Sequence, residues 1–525
     1  MGQSNQYGWP ASEIRQTALD MYPIDFFYRA SQLYPDRPAI EGPGQLSVTY
    51  RALADQVNAL AYAIEQLNDE PQARVGICAA NHADHVIALL ATLAAGKTWV
   101  PLNARSTPAE IGRILTAVEP CLVISDQTGH ALTTHQGPWT HWSLDQNPNY
   151  PDIHGLVQQH AGLKPTPIRA NRDATQAIKF TGGTTGAPKG VMQPYRAWTA
   201  GIINQIHGWK LSADDVFVVT APVTHGTSTY LLPMLGAGGK LVFPDKSDPP
   251  GIAMAFRERG GTISFMPPTL IYMLMAHAEV RPEDFVSVRN LVYGGAPMPA
   301  EKVDEAIRFF GPVIGTTYGQ TEAPQIVTML NASDLADPCN RGSAGRCTWL
   351  SDMAIMAPDG TLVSTGEMGE VVVKGDLVMT GYWRLPEKTA QTIMDGWLHT
   401  GDVGYIDERG FLFIKDRIRD VIITGGFNVY PVDVENALSK HPSVHECSVF
   451  GLPDSKWGEA VHAAVQLRPG CQASTQDLMT HVKSLLGGVH TPKQIHFFNE
   501  LPRSSVGKVL KKDIKDQLTT AITTP

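Results

Sequence analysis

Short apolar runs alternate with helix-patterned segments twice along the chain, and this alternation restricts the fold more than any other feature. In the first series, Arg74 to Ala79, Thr98 to Leu102 and Cys121 to Ser125 read as strands. Ala83 to Ala95 carries apolar residues at helical spacing up to Gly96, and Thr107-Pro108 opens a further helix. The second series has strands at Val216 to Thr220, Lys240 to Phe243, Gly261 to Met266, Val288 to Tyr293 and Val313 to Thr316. Its helical segments include Leu231 to Leu235, Pro268 to Ala278 and Ala300 to Phe310. Strands separated by helices of this length pair in parallel, so the expected class is α/β with two doubly wound sheets.

From Ala344 to Tyr405 the texture changes to short strands punctuated by Asp359-Gly360, Thr365-Gly366 and Lys374-Gly375, which predicts a small antiparallel β-barrel or sheet. Past Asp416 a compact α+β unit is expected, with helices at Pro431 to Lys440 and Ser474 to Leu486 and strands at Val444 to Phe450 and Ala460 to Leu467. The short charged run Arg417-Ile-Arg419-Asp420 is the expected junction, dividing the chain into 1–417 and 418–525. Leu518 to Pro525 reads as a frayed end. A chain of 525 residues is too long for one core, which agrees with such a division.

Charge and cysteine usage exclude several classes of function. The net charge of −9 is modest and the basic residues are scattered, so neither nucleic acid nor an anionic membrane is an expected partner. No apolar run reaches membrane-spanning length, and Met1 to Pro10 lacks a secretory pattern. Six dispersed cysteines without a Cys-x-x-Cys pair read as free thiols in a reduced, cytoplasmic setting. His82 and His85, one helical turn apart, read as an ordinary surface pair.

The chemistry concentrates in a few stretches. Thr181-Gly182-Gly183-Thr184-Thr185-Gly186-Ala-Pro-Lys189-Gly190 follows an apolar run and offers backbone N–H groups, hydroxyls and one cation together, as a polyphosphate requires. It is not a Walker A loop, because Lys189 lies between Pro188 and Gly190, and alone it could be a plain glycine-rich turn. Tyr318-Gly319-Gln-Thr321-Glu322 follows a strand, where side chains emerge at the carboxyl edge of a parallel sheet. Glu322 is a candidate Mg²⁺ ligand, since magnesium on nucleotides needs one or two carboxylates. Asp402 and Arg417 offer a carboxylate for ribose hydroxyls and a guanidinium, or else two solvated loop charges. Gly425-Gly426 precedes a helix, and Lys508 sits on a short loop where an isolated lysine would read as surface.

Taken in order, Thr181 to Gly190, Tyr318 to Glu322, Thr400-Gly401-Asp402, Asp416 to Asp420, Gly425 to Glu435 and Pro502 to Lys508 resemble the motifs of the adenylate-forming superfamily: acyl-CoA synthetases, adenylation domains and firefly luciferase. The similarity runs from about Ile24 to Lys512. It implies a large AMP-binding domain followed by a small mobile domain. It also implies an ATP-dependent acid–CoA ligase that forms an acyl-adenylate with Mg-ATP, releases pyrophosphate and passes the acyl group to coenzyme A.

By the same resemblance, residues 181–189 hold the β- and γ-phosphates, Thr321 and Glu322 serve phosphate and magnesium, and Gly295, Ala296 and Tyr318 frame adenine. Asp402 and Arg417 hold the ribose, while Lys508 rather than Lys189 bridges the carboxylate and the α-phosphate. Arg419 matches the hinge, and Gly425-Gly426 faces the coenzyme A channel. His225 matches a position beside the reacting carboxylate. The acid pocket is expected from His225, Gly226, Thr227, Ser228, Tyr293, Gly294, Gly315 and Thr317, whose small side chains leave room for an aromatic, aryl-alkenoic or medium-chain acid. No second-carboxylate partner is evident there. Departures from the family pattern are Gly182 for serine, Val506 for serine or threonine and Asp433 for glutamate. Two competing functions are a freestanding adenylation enzyme loading a carrier protein and a non-catalytic nucleotide sensor. A homodimer is compatible with the sequence.

Overall fold

The computed structural model describes residues 21–133, 137–181, 188–454, 456–503 and 509–523. Two large sheets dominate residues 23 to 347. The seven-stranded sheet is parallel through Thr175–Thr181, Thr98–Leu102, Arg74–Cys78, Leu122–Ser125 and Thr140–Ser143. Its other edge turns antiparallel at Lys189–Pro194, against which Gly381–Tyr382 adds. The nine-stranded sheet is parallel from Pro38–Glu41 through Lys240–Val242, Val216–Val218, Ile263–Met266 and Asn290–Tyr293 to Ile314–Gln320. Antiparallel strands flank it on both sides.

The sequence forms these elements for local reasons. Thr107 caps Pro108–Val118 by accepting the Glu110 N–H, and Asp248 caps Pro249–Arg259 in the same way, each with proline in the first turn. Central strands such as Thr98–Leu102 and Ile263–Met266 are buried on both faces, as crossover helices require. One core lies between the two sheets, around Phe27, Tyr50, Trp99, Trp198, Phe217 and Tyr230. Another fills the far face of the nine-stranded sheet.

The appended antiparallel unit is a five-stranded sheet, branched at Trp397–Ile406, on which Gly369–Gly375, Ile393–Met394 and Leu412–Arg417 all pair. A further five-stranded sheet runs through Phe427–Val429, Ile422–Thr424, Gly458–Leu467 and Val444–Asp454, with Gln494–Phe497 on Gly458–Leu467. Its core of Val434, Leu438, Val461, Val465, Leu478 and Val482 is separate from the others. Leu412–Arg417 thus belongs to one sheet and Ile422–Thr424 to the next, across the 3-10 turn Ile418–Asp420.

Two expectations change. The helix Lys511–Thr523 runs through Leu518, where a frayed end was expected, because Leu518 packs with Phe450, Leu501 and Ile514. His85 is fully buried inside Ala83–Ala94, its Nδ1 2.9 Å from the Ala80 carbonyl oxygen, while His82 is the preceding N-cap. The two rings are therefore not a surface pair.

Candidate active site

Three sheets meet at one turn. Ile314–Gln320 and Ala323–Leu330 form an antiparallel hairpin on the nine-stranded sheet, and its tip carries Thr321 and Glu322. From the seven-stranded sheet, Gln193 donates Nε2–H to the Thr321 carbonyl oxygen at 2.9 Å. From the same edge, Tyr382 donates its hydroxyl to Glu322 Oε1 at 2.8 Å, with Lys189 Nζ 5.4 Å from the Tyr382 ring centroid. The third sheet contributes Asp402, which accepts the Tyr318 hydroxyl at 2.6 Å and lies 3.1 Å from Arg417 Nε. Asp402 and Arg417 are direct partners across adjacent strands. Asp402 is buried, so both of its oxygens are engaged by groups pre-placed from other segments. Burial and the neighbouring Asp402 carboxylate push the Tyr318 phenol well up, keeping it a donor.

Thr181 ends its strand opposite Lys189. Gly182, Gly183, Thr184, Thr185, Gly186 and Lys508 lie outside the described residues. Gly295 and Ala296 follow the strand Asn290–Tyr293 at its carboxyl end, Gly295 exposed with φ 80°. Gly319 approaches the opposing strand so closely that a Cβ would stand 3.0 Å from Gln325 N, which fixes the geometry of the hairpin carrying Glu322.

On the acid side, the turn Thr224–Ser228 leads into the helix Ser228–Gly236. A Cβ on Gly226 would meet the Phe265 ring at 3.0 Å, and one on Gly294 the same ring at 3.0 Å and Gln325 Nε2 at 3.2 Å. Phe265 and Gln325 therefore stand between the two glycines, and the sequence reading missed both. Thr227 is buried, with its hydroxyl unpartnered among the described residues. Thr317 is buried and commits its hydroxyl to the Thr328 carbonyl. Of the other expected pocket residues, Tyr293 has its side chain in the far-face core, and a Cβ on Gly315 would meet the Trp209 ring and the Leu330 carbonyl oxygen at 3.1 Å.

His225 is exposed, with Thr224 Oγ1 2.9 Å from its Nδ1. Protein crowds the ring even though solvent reaches it, and this loss of water pushes its imidazole down, with the Lys179 ammonium acting in the same direction. Lys179 is a charged residue the sequence reading passed over. Its Nζ donates to Ser228 Oγ at 2.7 Å and lies 5.2 Å from the ring centroids of both Trp99 and Trp198. Burial pushes its amine down to about 7.

The model for the AMP-binding enzyme family matches residues 27–383, and that for the AMP-binding enzyme C-terminal domain matches 433–508. The chain belongs to the AMP-binding enzyme family. It is similar to a feruloyl-CoA synthase of Amycolatopsis sp, 33% identical over 96% of this chain and 99% of the relative. It is also similar to a medium/long-chain-fatty-acid–CoA ligase of Mycobacterium tuberculosis, 32% identical over 90% of this chain and 86% of the relative. Among solved structures, ATP-bound MatB from Rhodopseudomonas palustris superposes with a TM-score of 0.86 at 28% identity, covering 95% of this chain and 100% of that one. As an AMP-binding enzyme the chain is an acid–thiol ligase, coupling ATP consumption to ligation of a carboxylic acid with coenzyme A.

In this family member the C-terminal sheet packs back on the larger part through ion pairs. Arg468 reaches Glu305 at 3.1 Å, Lys415 reaches Asp433 at 2.7 Å, and Lys511 lies 3.4 Å from Glu435 and 3.8 Å from Asp416. The Gly425-Gly426 turn projects on a hairpin whose flanking Ile423 and Phe427 are 58% and 61% exposed. Gly425 has φ 57° and its N–H donates to the Trp457 carbonyl at 2.8 Å, so a side chain there would be strained and crowded against the indole. Arg419 lies in the Ile418–Asp420 turn, half exposed. No helix among the described residues is long and apolar enough to cross a membrane, and none of them form a group of three or more potential metal ligands.

Proposed function

We propose that the enzyme activates an aromatic, aryl-alkenoic or medium-chain monocarboxylic acid. The nucleotide would be held by the 181–189 loop, Gly295, Ala296, Tyr318, Gly319, Thr321, Asp402 and Arg417, and the acid by the Gly226–Phe265–Gly294 wall beside His225. The observation that carries this reading is the convergence of three sheets on the Thr321-Glu322 turn, which unites Lys189, Tyr382, Glu322, Tyr318, Asp402 and Arg417. Both similar ligases act, by name, on acids of the two proposed classes.

Glu322 fits a magnesium ion: its Oε1 accepts one neutral hydroxyl, and no cation pairs with it among the described residues. Bound there with the nucleotide, magnesium would neutralise phosphate charge. Lys508 is assigned the same task at the reacting oxygens, where charge builds as a carboxylate attacks a polyanion. Residues 418–525 would rotate about Arg419 between the half-reactions, withdrawing Lys508 and presenting Gly425-Gly426 to the thiol.

Pyrophosphate and AMP release from ATP across a panel of acids, with and without coenzyme A, tests the reading. Coenzyme A-dependent AMP formation with an aryl-alkenoic or medium-chain acid is expected. AMP formation only with a carrier protein, or ATP binding without turnover, would replace the reading with the loader or the sensor. A cytoplasmic location accords with all six cysteines being free, and light scattering distinguishes monomer from homodimer.

A further inference from the structure

Lys179 sits in the middle of Thr175–Thr181, with 7% of its surface exposed and no carboxylate partner among the described residues. An ammonium has three donors, and among the described residues the Ser228 hydroxyl alone receives one. Two indole faces, from Trp99 on the neighbouring strand and Trp198 on Tyr195–Gly208, offset part of its lost hydration. A buried ion without a counter-ion is costly, and an apolar side chain of equal length would fill the same space more cheaply. Packing therefore gives no reason for a lysine at this position.

The hydrogen bonds beyond it give one. Ser228, having accepted from Lys179, donates its own hydroxyl to the His225 carbonyl oxygen at 2.6 Å, and the Ser228 N–H points to the same oxygen at 3.2 Å. The chain Lys179–Ser228–His225 thus clamps the turn that presents the imidazole. We propose that Lys179 is a positioning residue of the acid site, anchoring the His225 turn through Ser228. The inference rests on the placement of His225 beside the acid. Among the described residues, the groups that act on the His225 ring are the Thr224 hydroxyl on its own turn and Lys179 from the strand Thr175–Thr181. Lys179 is the charged one of the two. Its amine, pushed down to about 7, is protonated in the range near 4 to which the His225 imidazole is pushed, so its charge opposes protonation of the ring there.

The full-length enzyme carrying Lys179→Met or Ser228→Ala tests this. The ring of His225 is followed by NMR with labelled histidine, and its signal is assigned through His225→Asn. In Lys179→Met the titration midpoint of His225 is expected to rise by about half a pH unit, roughly threefold in proton affinity. The acid limb of kcat/KM for the carboxylic acid should rise with it. kcat should fall about tenfold, the loss of one well-placed interaction, with KM for ATP unchanged and Tm no lower than in the parent. Ser228→Ala breaks the clamp and keeps the charge, so kcat should fall several-fold while the midpoint of His225 stays.

An unmoved midpoint together with an unchanged kcat in Lys179→Met overturns the proposal, and a lower Tm with both unchanged makes Lys179 structural. If Lys179→Met does not fold, an unaltered kcat in Ser228→Ala overturns the clamp. Full acid activation by His225→Asn would instead refute the placement of His225 at the acid, whatever the titration shows.

Discussion

The Tyr318–Asp402–Arg417 cluster and the Gly425-Gly426 hairpin belong to the same proposed reaction and are built in opposite ways. In the cluster Asp402 is buried and both of its oxygens already meet partners from other segments, Tyr318 and Arg417. The hairpin is exposed, glycine-turned and flanked by large apolar side chains that nothing covers among the described residues. A nucleotide site gains from preorganisation, because fixed dipoles need no reordering when charge develops. A surface that engages only for the second half-reaction must stay free of permanent partners.

Four measurements can break or sharpen this contrast. The largest effect is expected from Lys508→Ala, which should lower adenylation about 10²- to 10³-fold while largely sparing thioester formation from a preformed acyl-adenylate. Single-turnover assays of each half-reaction check it, and equal losses would dissolve the distinction between fixed and travelling parts. Next, Asp402→Ala leaves the Arg417 guanidinium and the Tyr318 hydroxyl unpaired. Binding of ATP should weaken about 10- to 100-fold, a cost of a few kcal/mol, and Tm should fall, as read by calorimetry with and without nucleotide.

Arg419→Pro fixes φ at the junction and should slow the thioester step about tenfold more than adenylation. Comparable slowing of both steps would argue against a pivot there. The smallest effect concerns Asp416, which links the two regions through Lys511. Burial raises its carboxyl to about 6 from the ordinary 3.8, with Lys511 opposing the rise. Between those values the folded state holds the additional proton, so unfolding free energy should decline as pH climbs from about 4 to 6, by at most about 3 kcal/mol. Asp416→Asn should flatten that slope in urea titrations at several pH values.

Much of this architecture is legible in the sequence because local signals and tertiary demand agree. Ala300–Phe310 and Thr98–Leu102 fall at their expected residues, the helix from its apolar spacing and the strand from an apolar run that follows the Gly96 turn. Tyr318 and Glu322 are legible as polar residues following a strand, whereas Asp402, read as a ribose carboxylate or a loop charge, lies inside the strand Trp397–Ile406. What escaped depends on distant chain. Lys179 is the one charged residue of Thr175–Thr181, and Trp99 and Trp198, from other elements, reveal that it is buried. Tyr382 meets Glu322 across 60 residues of chain, and no periodicity announces that encounter. The His82 and His85 reading failed because equal helical spacing does not distinguish an N-cap from the next inward-facing position.

The pairing of Thr181 with Lys189 has a practical consequence. Thr181 and Lys189 stand directly opposite each other on one antiparallel ladder, about 5 Å apart. Because both flanking strands are anchored by their own ladder, substitutions between them can test the proposed phosphate contacts without costing those strands their register.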